Sequence, residues 1–509
     1  MKYVETLITA QEAYPAFERR LLAARHSVTM GFRVFDPLTR LRSTEAQQIG
    51  ETWFDLLVDT LNRGVDITLF LSDFDPLVAT DLHRRTWRSV RLLCAIPEIA
   101  ARDAGRLVIR PELHPARIGA APAILTAPLV MWRKGRLRKR YALATDPAGK
   151  TTFSELPGVR YALSLRDPRL PGSFPASHHQ KVAVIDDRWT YIGGLDLDER
   201  RFDCKAHDRQ PEDTWHDVQL LIEDESLARA ARAHLEEFTA VTAGKHPPSA
   251  QVSPLVRTMS SARRPPDLWA FSPRPVITEI YDAHLRAITS AQHLIYLETQ
   301  YFRETALARA LARRAREAPD LRLVLILPGA PDTVAFRKTP GLDGRVGDYL
   351  QAKCIRILRK AFGPRLVVAS PAQPRTAQPD KDRPDRATLQ GAPVVYVHAK
   401  VSVFDDRSAI VSSANLNGRS MKWDTELGVD LTDSDEVRKV RQRCVDHWLD
   451  QSQTGTQASL EDSFARLRKV VAENAKKPPA ERNGFLVPYD LRAAEDTAMA
   501  MPGVPDEMV

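Results

Sequence analysis

Two copies of one short motif are the residues of this chain best suited to chemistry. The first begins at His179 and the second at His398, 219 positions later; each reads histidine, any residue, lysine, four residues, aspartate. The lysines and aspartates of the two copies are Lys181, Lys400, Asp186 and Asp405. Two motifs with identical internal spacing indicate an internal duplication, and a duplicated histidine–lysine pair predicts one site shared by two halves.

The residues that follow each motif keep the same spacing. A turn of small residues comes next, Gly193–Gly194 in the first copy and Ser412–Ser413 in the second. Asp196 and Asn415 each lie 17 positions after their histidine. We expect the glycines to serve the turn, and Ser413, Asn415 and Asp196 to line the site.

Each motif leads into a β-branched, apolar run that predicts a strand. Residues i and i+2 of a strand face the same side, so the histidine and lysine of each copy should share a face. Asp186 and Asp405 have the opposite parity and stand at an Asp-Asp-Arg turn. We therefore expect both aspartates to be structural, bonding local backbone, as turn-forming aspartates do.

The residue types fit transfer of a phosphoryl group. Lys181 and Lys400 supply fixed positive charge for the oxygens of an anionic phosphodiester. One imidazole can attack phosphorus, and the other can protonate the departing oxygen and then deprotonate the acceptor. Each ring needs an acceptor on its second nitrogen, and Asp217 and Glu426 follow the two motifs as candidates. This scheme requires no metal or cofactor.

Composition places the chain among ordinary globular proteins, with 43% hydrophobic and 27% charged residues and a net charge of +8. The positive balance favours partners with anionic surfaces, such as phospholipid headgroups or nucleic acid. Four scattered cysteines and no Cys-x-x-Cys favour a reducing compartment. The first residues contain an early acid and no apolar run, so we expect no signal peptide. No apolar run is long enough for a membrane span.

Apolar runs alternating with helical patterns predict α/β units in each half. Helix-then-strand pairs are expected at 16–32 and 280–302. We assign 1–243 to the first half, 244–272 to a linker rich in proline and serine, 273–476 to the second half, and 477–509 to an irregular tail. A helix should begin after Ser459.

The first half carries roughly 47 more residues than the second between its first strand and its motif, and we place them within about 97–175. This insertion contains a proline-broken apolar stretch, 118–132, followed by six basic residues between Arg133 and Arg140. Such a pairing suits an anionic membrane surface. The alternative is a surface loop with a solvated basic face, because loops collect such residues.

At these motifs the chain resembles the phospholipase D superfamily, whose signature is the duplicated H-x-K-x4-D. The segments His178–Val182, Ile192–Leu197 and Trp215–Asp217 look like the first motif region of plant and other eukaryotic phospholipases D, and Tyr396–Lys400 and Ser413–Ser420 look like the second. The resemblance covers residues 10 to 450. It implies two duplicated α-β-α sandwich halves packed about a pseudo-twofold axis, with one shared active site.

The resemblance also implies roles. His179 would be the nucleophile and His398 the general acid and base, although the symmetry of the sequence leaves this choice open. Glu426 would support His179, and Asp217 would support His398. Asp196 departs from the commoner asparagine and would place negative charge near an anion, so it could bond a cation instead of phosphate.

The implied reaction is hydrolysis of glycerophospholipids to phosphatidic acid and free headgroup, or transphosphatidylation when an alcohol is the acceptor. Alternatives are a nuclease or a cardiolipin synthase-like phosphatidyltransferase on the same fold, and a non-catalytic scaffold. The expected partner is phospholipid at an anionic membrane surface, with nucleic acid as partner only for the nuclease. We expect a monomer, because both motifs lie in one chain, and a cytoplasmic location with peripheral membrane contact.

Overall fold

The first half of the chain is built on a seven-stranded mixed sheet. In this computed structural model the described residues are 1–144, 174–263, 268–270, 272–336, 342–382, 385–449, 458–501 and 506–508. The strands of the first sheet are β1 Tyr3–Ile8, β2 Ser27–Phe32, β3 Asp66–Asp73, β4 Leu107–Leu113, β5 Val182–Ile185, β6 Trp189–Gly193 and β7 Val218–Glu223. Their order is β1-β7-β6-β5-β2-β3-β4, in which β2, β3 and β4 are parallel and the other pairs are antiparallel.

The second half contains a nine-stranded sheet. Its strands are β8 Leu255–Ser261, β9 Arg274–Thr278, β10 Leu294–Thr299, β11 Arg322–Ile326, β12 Leu366–Pro371, β15 Lys400–Phe404, β16 Ser408–Ser412, β17 Glu426–Leu431 and β18 Leu486–Pro488. A separate small hairpin pairs β13, Thr388–Leu389, with β14, Ala392–Pro393. The sheet order is β18-β12-β11-β10-β15-β16-β17-β8-β9.

The two sheets share one topology, which is the structural trace of the duplication. Read from β4 and from β12, both run through three parallel strands and then three antiparallel strands. Strand β8 occupies the place of β1, while β9 and β18 are additions at the edges of the second sheet. The prediction of an α/β fold with two duplicated halves is therefore confirmed.

Helices cover both faces of each sheet. They are α1 Thr9–Leu22, α2 Trp53–Asn62, α3 Thr80–Cys94, α4 Ile96–Ile99, α5 Ala120–Ala144, α6 Glu225–Thr242, α7 Glu279–Ser290, α8 Thr305–Glu317, α9 Asp332–Ala335, α10 Leu342–Phe362, α11 Gly418–Lys422, α12 Ser434–Trp448, α13 Leu460–Asn474 and α14 Leu491–Thr497. Helices α6, α12 and α13 pack with the inner faces of both sheets in one continuous apolar core. Helices α1 and α2 bury the outer face of the first sheet, and α7, α8 and α10 that of the second.

Local sequence explains several of these boundaries. Strands β2 and β10 begin where the apolar patterns predicted them, and each follows the predicted helix. Ser459 caps α13 with a capping box, because its hydroxyl accepts from Asp462 N while the Asp462 carboxylate accepts in return. No helix in the described part of the chain is both long and apolar enough to cross a bilayer.

Two of the predicted segment assignments are wrong. The stretch 244–272 is not simply a linker, because it contains β8, a fully buried strand between β17 and β9. The stretch 477–509 is not simply an irregular tail, because β18 extends the second sheet beside β12 and α14 packs on its outer face. The low apolar content of both stretches concealed short elements that are stabilised by pairing with distant strands.

Candidate active site

The histidines of the two motifs stand at the ends of equivalent central strands. His179 lies three residues before β5, and His398 two residues before β15. Strand β5 lies between β2 and β6, and β15 lies between β10 and β16, so both motifs emerge from the middle of their sheets. A strand that is paired on both sides holds its end rigidly, which suits side chains that must keep a fixed geometry.

Asp186 and Asp405 anchor the strands beside the motifs. The Asp186 carboxylate accepts hydrogen bonds from the backbone N–H groups of residues 25–27, at the entry to β2. Asp405 accepts in the same way from residues 292–294, at the entry to β10. Both aspartates have positive φ, 53° and 51°. Their role is structural as predicted, but their partners are the neighbouring strand's backbone and not the local turn.

Backbone bonds across the interface between the halves bring the motifs together. His179 N donates to Thr425 O at 2.8 Å, and His398 N donates to His216 O at 2.8 Å. Thr425 and His216 are equivalent positions, since each directly precedes the acidic residue that follows its motif, Glu426 or Asp217. The same pair of contacts thus occurs twice, each time linking one half to the other.

His179 receives its supporting carboxylate from the opposite half. Its Nδ1 lies 3.0 Å from Glu426 Oε2 and 3.1 Å from the carbonyl oxygen of Ser413. Glu426 is fully buried, and its Oε2 also accepts from the Ser413 hydroxyl at 2.5 Å. With acceptors around Nδ1, the ring carries its proton there and leaves the Nε2 lone pair free.

His398 is supported in the reciprocal way. Its Nδ1 lies 2.6 Å from Asp217 Oδ2, and Asp217 is fully buried in the first half. The ring packs 4.5 Å from the indole of Trp215, which stacks on Tyr396. The two histidine–carboxylate pairs therefore cross between the halves, the arrangement that the resemblance implied. Trp215 therefore lies against the site.

The two motif lysines lie against their own histidines. Lys181 Nζ donates to the His179 carbonyl at 2.5 Å and lies 3.4 Å from His179 Nδ1. Lys400 Nζ donates to the His398 carbonyl and lies 2.9 Å from His398 Nδ1. Both ammonium groups are buried. Buried cations of this kind concentrate positive charge where an anionic group would enter.

Burial perturbs the protonation equilibria of the whole cluster. Burial, reinforced by the nearby lysines, lowers the pKa of His179 and that of His398 well below the usual value for histidine. Burial also lowers the pKa of Lys400 to about 7 and raises the pKa of Glu426 to about 8. Both imidazoles are therefore neutral in the free protein, as a nucleophilic imidazole must be.

A polar pocket of about 260 Å³ opens beside His179. Two arginines line it that the sequence did not single out, Arg33 and Arg303. Arg33 directly follows β2, and its buried Nε has no hydrogen-bond partner in the described part of the chain. The duplication could have revealed this position. Gly31 pairs with Val182 in the first sheet as Glu298 pairs with Val401 in the second. Two residues further on, Arg33 is therefore the equivalent of Gln300, which also lines the pocket.

The predicted phosphate-binding residues divide into two groups. Asn415 lines the pocket, where its amide donates to Gln300 and its Oδ1 has no partner among the described residues. Ser413 does not fit the role of phosphate ligand, and Asp196 lies beside a cation, as its departure from the commoner asparagine suggested. The Ser413 hydroxyl is committed to Glu426, and Asp196 accepts from Val34 N and lies 3.9 Å from Lys181 Nζ. Asp196 thus holds a lysine, since a second anion beside a phosphate would be repelled.

Gly194 permits a close approach that a side chain would block. A Cβ at this position would stand 2.2 Å from Asp217 Oδ1, and one at Gly193 would stand 2.1 Å from the Gln219 amide oxygen. The equivalent of Gly194 in the second half is Ser413, whose hydroxyl bonds Glu426. The turn glycines are structural, as predicted, and Gly194 makes the room that the Asp217 carboxylate occupies.

The arginines that follow the motifs pair with carboxylates. Arg419 lines the pocket and donates to Asp424 at 3.1 Å, while Arg200 donates to Asp332 at 2.8 Å. The guanidinium of Arg201 lies 3.5 Å over the ring of Trp215, beside His398. Its positive charge contributes to the lowered pKa of His398.

The insertion in the first half contains a helix, α5, and not only a loop. One face of this helix exposes Ile124, Leu125 and Trp132, and the next turn exposes Arg136, whose guanidinium lies 4.8 Å over the Trp132 ring. Lys134 is buried, which its place in the basic cluster did not predict. The side chain of Arg140 and residues 145–173 lie outside the described part.

Part of the chain is similar to known proteins. Residues 284–448 match the model of the cardiolipin synthase, phospholipase D-like domain. Phospholipase D1 of Saccharomyces cerevisiae is 22% identical over 431 residues, covering 62% of this chain and 24% of that protein. Phospholipase D A of Dictyostelium discoideum is 24% identical over 326 residues, covering 50% of this chain and 24% of that protein. The chain thus spans about a quarter of the length of each.

Among solved structures, phosphatidylserine synthase of Haemophilus influenzae aligns with a TM-score of 0.49 and 12% identity, covering 87% of this chain and 86% of that one.

Proposed function

We propose that this chain, as a member of the phospholipase D superfamily, cleaves glycerophospholipids at the headgroup phosphodiester. The reaction passes through a phosphohistidine and gives phosphatidic acid or a transphosphatidylated product. The observation that carries the proposal is the crossed pair of histidine–carboxylate contacts, His179 with Glu426 and His398 with Asp217. Two neutral imidazoles, each oriented by a buried acid and flanked by a buried lysine, fit two-step displacement at phosphorus.

His179 is the better candidate for the nucleophile. Its side chain is 10% exposed and lines the polar pocket, whereas the side chain of His398 is 3% exposed. In the first step, His179 Nε2 attacks phosphorus and the bond from phosphorus to the headgroup oxygen breaks. For this step His398 must first take up a proton on Nε2, which the negative charge of the bound phosphodiester favours, and it then gives that proton to the leaving oxygen. Phosphatidyl-His179 and a neutral headgroup alcohol result.

The second step reverses the proton's path. His398, now neutral, removes a proton from an incoming water or alcohol, whose oxygen attacks phosphorus and breaks the bond to His179 Nε2. Water gives phosphatidic acid, and an alcohol gives a new phosphodiester. His398 is an imidazolium before it protonates the leaving oxygen and again after it deprotonates the acceptor. Asp217 stabilises this form, because its carboxylate accepts from Nδ1.

Cationic groups around the pocket support binding of a phosphodiester. Lys181 and Lys400 lie beside the two imidazoles, and Arg33 faces the pocket with an unpartnered Nε. Positive charge in a buried site stabilises the additional negative charge that develops on the phosphoryl oxygens in the transition state. An incoming phosphate anion also favours the charged form of Lys400, whose pKa burial holds at about 7.

The apolar and basic surface of α5 is consistent with a substrate presented in a membrane. Leu77, just beyond the carboxyl end of β3, packs with Val130 and Leu137 of α5. The helix therefore lies at the same edge of the first sheet as His179. Exposed Trp132 and Leu125 could enter the headgroup region while Arg136 contacts anionic lipid.

The test is a direct comparison of substrates. Phosphatidylcholine vesicles, with and without a primary alcohol, and single- and double-stranded DNA are each incubated with the protein and with H179A, H398A and H246A. His246 is an exposed histidine outside the pocket and serves as the matched control. We expect headgroup release by wild type and H246A, phosphatidylalcohol in the presence of alcohol, and a loss of at least about 10³-fold in both motif variants.

DNA cleavage without lipid turnover would replace this proposal with the nuclease. Headgroup release that survives in H179A and H398A would remove both histidines from the mechanism. The nucleophile is identified by quenching at steady state, since H398A should accumulate phosphatidyl-His179 when the leaving group is good enough to depart unprotonated.

A further inference from the structure

Three histidines meet at the interface between the halves, behind the active site. His207 and His216 come from the first half and His447 from the end of α12 in the second. One ring nitrogen of each lies within 4.8 Å of the other two, and the Nε2 atoms of His207 and His447 are 2.9 Å apart. None of these rings is needed for the chemistry proposed above.

Buried carboxylates fix the tautomers of two of the rings. Asp203 Oδ2 lies 2.6 Å from His207 Nδ1, and Glu298 Oε2 lies 2.8 Å from His216 Nε2. A carboxylate accepts the ring proton, so the opposite nitrogen of each imidazole carries a lone pair. His207 Nε2 and His216 Nδ1 are therefore the nitrogens that each ring can offer to a ligand.

His216 Nδ1 is the unsatisfied atom of the group. It is completely buried and has no hydrogen-bond partner in the described residues, although His447 serves His207. A buried nitrogen without a partner destabilises the fold by an amount comparable to a lost hydrogen bond. Buried polar atoms in native proteins nearly always have a bonding partner, and the partner of a nitrogen lone pair is a proton donor or a metal ion.

A histidine whose second nitrogen is held by a carboxylate is the arrangement found at metal sites. We propose that His207, His216 and His447 bind a single divalent transition-metal ion, zinc by preference, which joins the two halves of the chain behind the active site. Three imidazoles suit zinc and its neighbours in the first transition series, but not calcium or magnesium, which prefer oxygen.

The surroundings match the chemistry of such a site. The Trp448 indole packs 4.1 Å from the His216 ring, and Phe485 lies 5.2 Å from His207. This apolar shell limits competition from water.

Binding an ion would require the rings both to shift and to tilt, because the His216 and His447 rings stack at 4.7 Å with an interplanar angle of 25°. Nitrogens bound tetrahedrally to zinc at about 2.0–2.1 Å stand about 3.3 Å apart. The widest separation in the cluster, at most 4.8 Å, closes to that value when each of two rings moves by roughly 0.8 Å. His447 also lines a surface cavity of about 610 Å³, which provides a route for the ion and a place for a water as fourth ligand.

The ion would brace the catalytic pair through the backbone. His216 O accepts from the N–H groups of His398 and Ala399, and the next residue is Asp217. Fixing His216 to a ligand on α12 therefore fixes both partners of the His398–Asp217 contact. Glu298, from β10, completes the link to the second sheet.

The experiment measures metal binding by the full-length chain without a polyhistidine tag. After dialysis against a chelator, Zn²⁺ is titrated calorimetrically into wild type, H447Q and H284Q, and Co²⁺ is added to wild type for its visible spectrum. His284 is the matched control, a histidine on α7 whose ring bonds Ile280 O and Ser402, away from the cluster.

We expect wild type and H284Q each to bind one equivalent of Zn²⁺, and the dissociation constant of H447Q to be at least about 100-fold higher. Wild type with Co²⁺ should show the visible spectrum of a tetrahedral site with nitrogen ligands. E298Q should lower the affinity for Zn²⁺ by about 10–100-fold, because Glu298 orients the His216 ligand without touching the ion. Wild type that binds no more Zn²⁺ than H447Q, and shows only the spectrum of hexa-aqua Co²⁺, would overturn the site. These readouts are independent of lipid turnover.

Discussion

Replacing Gly194 with alanine should damage the site at one defined contact. The new Cβ would stand 2.2 Å from Asp217 Oδ1 and 3.1 Å from Oδ2, and the nearer distance is far inside any van der Waals contact. Asp217 cannot simply rotate away. Its Oδ1 accepts from Val218 N at 3.0 Å and its Oδ2 lies 2.6 Å from His398 Nδ1.

The size of the effect follows from this geometry. An ordinary contact needs roughly 3.2 Å or more, so the carboxylate must retreat by about 1 Å, and the contact with His398 lengthens with it. A misplacement of about 1 Å in an active site lowers the rate by about 10²-fold, which corresponds to about 2.7 kcal/mol in the activation free energy. The loss should fall on kcat, because the substrate pocket lies on the side of His179.

The matched control is G135A, because a Cβ at Gly135 on α5 meets nothing within 4 Å. The second half suggests a compensating change, since Ser413 and Glu426 occupy the positions of Gly194 and Asp217. The double variant G194S/D217E recreates that pair in the first half. We expect it to recover at least tenfold of the activity that G194A loses.

The assay is steady-state headgroup release from phosphatidylcholine vesicles, with thermal unfolding recorded in parallel. A wild-type kcat in G194A would refute the reasoning, since it would mean that the Asp217–His398 contact does not limit the reaction. An equal loss in G135A would show that the effect is not specific to this glycine.

Three further predictions concern charge, anchoring and membrane contact. Burial lowers the pKa of Lys400 to about 7, so kcat/KM should fall as the pH rises through about 7 and the ammonium loses its proton. The K400R variant keeps its charge, so its pH–rate profile should show this fall at a higher pH. D405A removes the acceptor of three backbone N–H groups and places alanine at a φ of 51°, so chemical denaturation should give about 3 kcal/mol less stability, whereas D320A, at an exposed turn, should lose less. W132A/R136E should weaken sedimentation with anionic vesicles at least tenfold without changing the thermal midpoint, and unchanged sedimentation would exclude α5 from membrane contact.

The sequence predicted the fold and the four motif residues because duplication leaves a signal that one chain can carry. Equal spacing after His179 and His398 required equivalent strands and turns, and β5 with β15 and Gly193 with Ser412 satisfy it. Strand β8 and strand β18 were missed for a physical reason. Each is short, and each forms because a partner distant in sequence, β17 or β12, supplies its hydrogen bonds.

Side-chain roles were harder to predict than positions. Ser413 and Asp196 have residue types that suit a phosphate, and only the structure gives the competing partners, Glu426 and Lys181. Arg33 lies outside the motifs, and the register of the paired strands is what makes it equivalent to Gln300. The three-histidine cluster is scattered over 240 positions of the sequence, so no local pattern marks it.

The two halves share one backbone arrangement but differ in side chains around the site. This difference would allow the two motif histidines to take different roles. At equivalent positions the halves carry Gly194 and Ser413, Asp217 and Glu426, and Gly31 and Glu298. The longer acid needs the serine hydroxyl to hold it on His179, while the shorter acid needs the space beside a glycine to reach His398. Glu298 has no counterpart in the first half, which is why the histidine cluster, and any rigidity it gives, lies only behind His398. The imidazole that faces the pocket and the imidazole beside the histidine cluster are thus distinguished by the few positions at which the two halves differ. On the proposed mechanism, we expect those positions to decide which ring attacks and which carries the proton.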